Sequence, residues 1–385
     1  MAEVAARFAE LYARQAQGVW SAPGRVNLIG EHTDYNRGLC LPIALPQRTY
    51  AAARAREDSR LRMHSLQSDQ TVEVALAEVE PGRPGGWAAY VAGVLWSLAR
   101  AGHEVAGLDV VVDGHVPVGS GLSSSAALEC AVAAAASDVF GLGLLEGPGA
   151  RAKLAAACVE AENTIAQAPT GGMDQSASLL CQPGHALLLD CRDGSTRQVG
   201  FDLGAHGLSL VVIDTRAEHV LVDGQYAERR RSCEEAAAEL GLPSLREVRL
   251  DSLPQALARL SSDVLRRRAR HVVTETARVE AAVDLLDRGE ITALGDLFAA
   301  SHASLRDDYE VSCEELDVAV EAAVAAGALG ARMTGGGFGG SAIALVGEDR
   351  VDEVVAAVQV AFAARGFHAP DCFPVFASGA AGRDL

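Results

Sequence analysis

The sequence predicts an α+β chain folded as two lobes. Three observations carry this. The opening third holds apolar runs of strand length separated by turn signals, as in an antiparallel sheet. A strand-like run at 108–112 then passes through a glycine and serine loop into an alanine-rich helix. Beyond Pro183-Gly184 the pattern shifts to long helices, followed by a second glycine loop and a strand. A length of 385 residues supports two domains, divided as 1–185 and 186–385.

In chain order, residues 4–17 read as a helix and 19–28 as a strand interrupted at Pro23-Gly24. Strands are expected at 39–45, 50–55 and 61–65. Trp87, Val91, Val94, Leu95 and Leu98 have helical spacing, placing a helix at 87–101. The strand at 108–112 and a helix from 126 to about 140 flank the loop, and a further helix covers 153–164. In the second half, strands are expected at 186–190, 208–214 and 373–377. Helices are expected at 225–240, 254–268, 271–288, 291–303, 313–326 and 351–365.

Composition excludes several function classes. Hydrophobic residues make up 49% and charged residues 22%, so the chain reads as globular. A formal charge of −18 argues against nucleic-acid or anionic-membrane partners. The long apolar run at 127–145 carries Glu129 and Asp138 and is not a membrane span. The eight cysteines form no Cys-x-x-Cys, which is the usage of a reducing cytoplasm.

The chemistry centres on residues 117–128. Gly119 and Gly121 permit backbone conformations that a Cβ would block. A strand, a glycine loop and a helix start together converge backbone N–H groups on an anion. Ser123, Ser124 and Ser125 add hydroxyls beyond what a helix cap needs. The loop is not a Walker A motif, because Lys153 is the only lysine in the chain. Phosphate binding here must use amides, hydroxyls, arginine and a metal ion.

Three further clusters stand out. Arg25, Glu31, His32 and Asp34 surround a turn between apolar strands and suit recognition of a polyhydroxylated ligand. Asp174 follows Gly171-Gly172 and is a candidate general base, while Glu162 on the preceding helix is a candidate Mg²⁺ ligand. Residues 335–340 contain five glycines in six positions. A strand rather than a helix follows them, which rejects a dinucleotide site.

With these stretches in view, the chain resembles the GHMP small-molecule kinases and, within them, the galactokinase family. Residues 22–36 (APGRVNLIGEHTDYN) are similar to the galactokinase signature. Residues 117–125 look like the family's phosphate loop, and 335–340 like its third motif. Residues 172–175 and 304–312 are also galactokinase-like. The similarity runs from about residue 20 to 378.

The resemblance implies a mixed-sheet N-lobe with the phosphate loop, a ferredoxin-like C-lobe and a site in the cleft between them. It implies ATP-dependent phosphorylation of D-galactose at the anomeric hydroxyl, the first committed step of the Leloir pathway. Asp174 matches the catalytic aspartate and Arg25 its charge-stabilising partner. Glu31, His32, Thr33, Asp34, Gly171, Asp174 and Tyr226 match the sugar contacts. Ser65, Gly119, Ser120, Gly121, Leu122, Ser123, Ser124 and Ser125 match the ATP contacts, and Ser125 and Glu162 the Mg²⁺ ligands. Residues 216–226 depart from the serine-rich segment of many relatives. A cytoplasmic enzyme, monomeric or weakly homo-oligomeric, is expected. The alternatives are a kinase for N-acetylgalactosamine, galacturonate or arabinose, and a non-catalytic galactose and ATP sensor.

Overall fold

The computed structural model describes residues 1–217 and 222–385; residues 218–221, in the segment leading to Tyr226, lie outside the described residues. The strand Gly18–Asn27 is buried along its whole length. It lies within a six-stranded sheet whose spatial order is Gly382–Arg383, Gly18–Asn27, Pro42–Ala55, Leu108–Gly114, Arg60–Ser65, Gln70–Ala75. Arg60–Ser65 pairs in parallel with Leu108–Gly114, and the other ladders are antiparallel. The register of Gly18–Asn27 slips between Pro23 and Arg25, so Gly24 sits opposite residues 45–47. That bulge turns Arg25 toward the phosphate loop. A Cβ on Gly24 would stand 2.6 Å from the Leu122 carbonyl oxygen, so only glycine lets the strand approach the loop this closely.

The helix Ser124–Val139 is buried on nearly every face, which its alanine-rich sequence permits by allowing neighbours to pack close. It shares one core with the helices Trp87–Arg100 and Pro148–Ala161. Burying it fixes the direction of the N-terminal amides that follow the glycine loop.

The second half builds a four-stranded antiparallel sheet in the order Gly330–Thr334, Ser341–Gly347, Leu208–Asp214, Asp371–Val375. Along the chain, helices separate Leu208–Asp214 from Gly330–Thr334, and Val351–Arg365 separates Ser341–Gly347 from Asp371–Val375. This is the β-α-β-β-α-β arrangement of a ferredoxin-like unit. A smaller ladder of Leu39–Cys40, His185–Asp190 and Ser195–Gly200 ties the signature turn to the middle of the chain. The C-terminal residues return to the first sheet, where Trp20 and Ser21 face Arg383 and Gly382.

Several boundaries differ from the sequence reading. The strands expected at 39–45 and 50–55 are largely one 14-residue strand, Pro42–Ala55. Pro46 is tolerated because it lies opposite the bulge, where no regular ladder bond is lost. The helices expected at 254–268 and 271–288 are a short Leu253–Arg259 and a continuous Asp263–Asp287. The helix runs on through the polar stretch 266–271. Arg268 and His271 are buried, bonded to the Asp308 carbonyl and the Ser304 hydroxyl. The first helix is Ala2–Tyr12, closed by Ala13 in the left-handed region. The polar strands Gln70–Ala75 and Ser195–Gly200 carried too little apolar pattern to be anticipated.

Candidate active site

The site begins at the bulge. Arg25 is only 6% exposed, and its guanidinium reaches Asp174 at 2.8 Å through both Nε and Nη2. Its Nη1 donates to the Gly121 carbonyl at 2.5 Å, and its backbone N–H donates to the Leu122 carbonyl at 3.0 Å. One side chain therefore fixes both the aspartate and the phosphate loop. Asp174 lies in the first turn of the helix Met173–Leu180 and keeps 22% side-chain exposure. Its second oxygen accepts from the Ser123 hydroxyl in a short contact.

Beside this pair lies a cavity of about 180 Å³, walled by Arg25, Asp174, Asp34, His32, Tyr226 and Glu162 among others. Asp34 is held against Gly171. A Cβ on Gly171 would stand 2.1 Å from the Asp34 carboxylate, so the two segments meet only because residue 171 is glycine. Gly171→Ala is expected to raise KM for the sugar at least tenfold while leaving KM for ATP within twofold, measured by steady-state kinetics. Burial and the nearby Asp174 charge push the Asp34 carboxyl up to about 6.

The rest of the signature forms the support behind this wall. Thr33 is fully buried, and its hydroxyl donates to the Gly30 and Leu39 carbonyls at 2.8 and 2.7 Å, so it holds the turn. Glu31 is 1% exposed, and burial pushes its carboxyl up, with Arg332 opposing. It accepts from Thr334 at 3.0 Å, from the Gly335 amide at 2.7 Å and from Asn27 in a short contact. The signature is thereby bonded directly to the third glycine motif. Burial pushes the His32 imidazole down to about 3, so it is neutral near neutral pH. Its Nε2 faces the Gly336 carbonyl at 3.1 Å and must carry the hydrogen, leaving Nδ1 to accept from Tyr35 at 2.8 Å. Tyr35 in turn meets the Tyr309 hydroxyl at 2.8 Å. The Tyr226 ring packs 5.6 Å from His32 and 5.3 Å from Tyr35.

Glu162 opens a π-helical turn, Glu162–Ala166, that ends the helix Pro148–Ala161. Burial and the Asp174 charge push its carboxyl up, with Gln175 and the Ser125 hydroxyl opposing as hydrogen-bond partners. The Gln175 amide also donates to Glu129 at 3.0 Å, and Glu129 is fully buried. Three carboxylates, Glu129, Glu162 and Asp174, thus gather beside one arginine. Burial and the neighbouring carboxylates push the Glu129 carboxyl well up and the Glu162 carboxyl up to about 7, a cost that a divalent cation would offset. Glu129 and Gln175 escaped sequence reasoning because nothing local marks them. Among the described residues, no three His, Cys, Asp or Glu side chains form a cluster that would hold a metal unaided. A hydroxyl and a carboxylate, completed by phosphate oxygens and water, are what Mg²⁺ ordinarily takes.

A second cavity, of about 520 Å³, lies on the other side of the phosphate loop. Ser124 and Ser125 form one end; Ser65, Trp87, Tyr90 and Val118 line the body. Val118 is 85% exposed at the loop tip, an apolar edge awaiting a flat partner. The buried Trp87 indole N–H has no hydrogen-bond partner among the described residues. The sequence marks Trp87 only as a helix residue and does not single out Tyr90, although their spacing of three after Gly85-Gly86 puts both on one face. Ser120 and Leu122 face inward instead. The Ser120 hydroxyl donates to the Pro117 carbonyl at 2.8 Å, and Leu122 is 1% exposed in the core. They shape the loop, whereas Ser124 and Ser125 line the second cavity and Ser123 donates to Asp174.

Two cavities joined by a glycine loop, with an arginine–aspartate pair at the junction, define a GHMP small-molecule kinase. The chain matches the GHMP kinases N terminal domain over residues 89–182 and the GHMP kinases C terminal domain over 282–364. It also matches the galactokinase galactose-binding signature over residues 6–55. It is 52% identical to a galactokinase of Streptomyces coelicolor over 382 residues, covering 99% of this chain and 97% of that one. A galactokinase of Mycobacterium tuberculosis is 46% identical over 353 residues, covering 91% and 95%. The Lactococcus lactis galactokinase, solved in complex with galactose, superposes with a TM-score of 0.93 at 34% identity over 100% and 99% of the two chains. The mevalonate kinase of Methanococcus jannaschii shares the fold, with a TM-score of 0.67 at 15% identity over 93% and 98%. The chain belongs to the galactokinase family.

Proposed function

We propose that this chain transfers the γ-phosphoryl group of ATP to the anomeric hydroxyl of D-galactose, yielding galactose 1-phosphate. The observation that carries this reading is the Arg25–Asp174 pair, which joins the sugar-sized cavity to the phosphate loop. Units 1–185 and 186–385 would meet at this cleft, where the Gly335 amide donates to Glu31.

Each residue then has a task. The galactose hydroxyls would bond Asp34, Glu31 and Tyr226, with Gly171 giving the room and the His32 ring, whose nitrogens are taken by Gly336 and Tyr35, forming wall. Asp174 would orient the anomeric O–H and accept its proton as phosphorus approaches. Arg25 would hold Asp174 and offset charge on the transferring group. The adenine would enter the apolar cavity of Trp87, Tyr90 and Val118, with Ser65 at its rim. The triphosphate would meet the amides from Gly119 to Ser125 and the N-terminus of Ser124–Val139. Ser125 and Glu162 would hold Mg²⁺, which supplies neutralisation of the triphosphate charge. Glu162→Ala is expected to raise the half-saturating Mg²⁺ concentration about tenfold, read from rates across a Mg²⁺ series, with sugar KM little changed.

The raised Asp34 carboxyl gives a pH signature. Below about pH 6 it is protonated and loses acceptor capacity, so KM for galactose is expected to rise as pH falls through that value. The same shift runs against stability. The folded state holds this proton up to a higher pH than the unfolded state, so stability falls as pH rises from about 4 to 6. In Asp34→Asn both pH dependences should flatten.

The eight described cysteines are all free, which supports work in a reducing cytoplasm. Among the described residues no helix is long and apolar enough to cross a membrane. The expected assembly is a monomer or weak homo-oligomer. The direct test is sugar-dependent ADP release with Mg·ATP across galactose, N-acetylgalactosamine, galacturonate, arabinose and glucose. Turnover dominated by galactose supports the reading. Turnover with another sugar alone would move the substrate, and binding without turnover would leave a sensor.

A further inference from the structure

A separate cavity of about 620 Å³ lies against the helix Asp263–Asp287, between Arg192 and the 245–251 segment. Its wall carries three arginines in a chain of net charge −18. Arg246 is the telling one. Its side chain is 13% exposed, its nearest carboxylates are Asp190 at 3.5 Å and Glu280 at 3.7 Å, and its Nε is buried without a hydrogen-bond partner among the described residues. A guanidinium has five N–H donors, and leaving them underused in a buried setting is costly. Arg192 finds a carboxylate only at 3.9 Å, in Glu247. Arg249, 81% exposed at the rim, is paired with Asp251 at 3.0 Å, a surface pair that a ligand displaces at little cost. The rest of the wall has an apolar part, with Leu245, Val248 and Val273, and a polar part, with Thr276 and the carboxylates of Asp251 and Glu280 that face Arg249 and Arg246.

We propose that this cavity binds a small organic phosphate, with the phosphate on the Arg246 fork and the carbon body against the apolar wall. Guanidinium geometry matches a phosphate edge bidentately, and the apolar wall favours an ester over the bare ion. Two sides of the cavity are bonded to the sugar turn. On the helix, Thr276 and Ala277 line the cavity, while Glu275 accepts the Gly30 amide at 2.9 Å and His271 bonds the Glu31 carbonyl at 3.1 Å. Against the cost of burial, Arg278 and Arg332 hold Glu275 down to about 2, so that anchor stays charged. Arg192 accepts from Arg37 through its carbonyl at 3.3 Å, and Asp190 pairs with Leu39. An occupant that draws Arg246 from Asp190 therefore acts on the segment carrying Asp34, and binding here is coupled to sugar affinity.

The test is calorimetric titration of the full chain with galactose and a non-hydrolysable ATP analogue already bound. The probes are glucose 6-phosphate and inorganic phosphate. The expected result is one site for glucose 6-phosphate, at least tenfold tighter than for inorganic phosphate. Arg246→Ala, the rim variant Arg249→Glu and the space-filling Ala277→Trp should each weaken it at least tenfold. The latter two lie outside the catalytic cluster and should keep wild-type turnover when the probe is absent. Saturating probe should shift galactose KM several-fold in the wild type and not in the variants. No binding, undiminished binding in the three variants, or equal affinity for inorganic phosphate would overturn the proposal. The calorimetric arm reads heat and not turnover, so its failure is distinct from a failure of the kinase reading.

Discussion

Asp174→Ala is expected to lower kcat by about 10²- to 10⁴-fold, the range that a positioned general base contributes. Galactose should still bind to this variant within a few-fold of wild type, by calorimetry or by intrinsic fluorescence. The separation follows from the geometry. Asp174 is one wall residue of the 180 Å³ cavity, and Asp34, His32 and Tyr226 remain when it is truncated. Its carboxylate is meanwhile engaged by Arg25 on one oxygen and Ser123 on the other, so it stands between the sugar and the phosphate loop. Asp174→Asn refines the result. It keeps the size but is neutral, and should be nearly as slow as the alanine variant. Wild-type turnover in either variant would remove Asp174 from the mechanism.

Arg25→Ala is expected to reduce kcat/KM by about 10²- to 10³-fold, as loss of one preorganised charge-stabilising group does elsewhere. Two losses combine. The transferring group loses its neighbouring cation, and the Gly121 carbonyl and Asp174 lose the link that fixes them relative to each other. The pair is largely buried, so stability should also fall; removing one partner of a buried pair costs about 3–5 kcal/mol, and the residual exposure of Asp174 places this site toward the lower end. Arg25→Lys should recover little activity. An ammonium cannot span Asp174 and the Gly121 carbonyl as the planar fork does. Recovery of full activity with lysine would show that charge alone matters and that the fork geometry does not.

The parts of this protein that were legible in its sequence are those set by local backbone chemistry. The phosphate loop announces itself through Gly119, Gly121 and the following serines, because each glycine must adopt a positive φ, observed at 78° and 73°. Asp174 was readable from the Gly171-Gly172 turn before it, and the ferredoxin-like unit from the galactokinase-like motifs. The unread parts are long-range. The Gln175 amide joining Glu129 to Glu162, and the Tyr309–Tyr35–His32 chain, depend on helices distant in sequence that meet only after folding. Glu31 was read as a sugar contact. The structure adds its bonds to Thr334 and Gly335, about 300 positions away, which no local pattern carries. Thr33 belongs to the same stretch yet turns its hydroxyl to backbone carbonyls, a distinction made by burial and not by residue type.

The central claim is that this cleft places phosphate on the anomeric carbon of galactose. The most direct measurement is proton-coupled ³¹P NMR of a reaction containing the full chain, galactose and Mg·ATP. The account predicts loss of the γ-phosphate signal and growth of one phosphomonoester signal coupled to the sugar H1. Release of inorganic phosphate alone, or a phosphomonoester coupled to any other sugar proton, would contradict it.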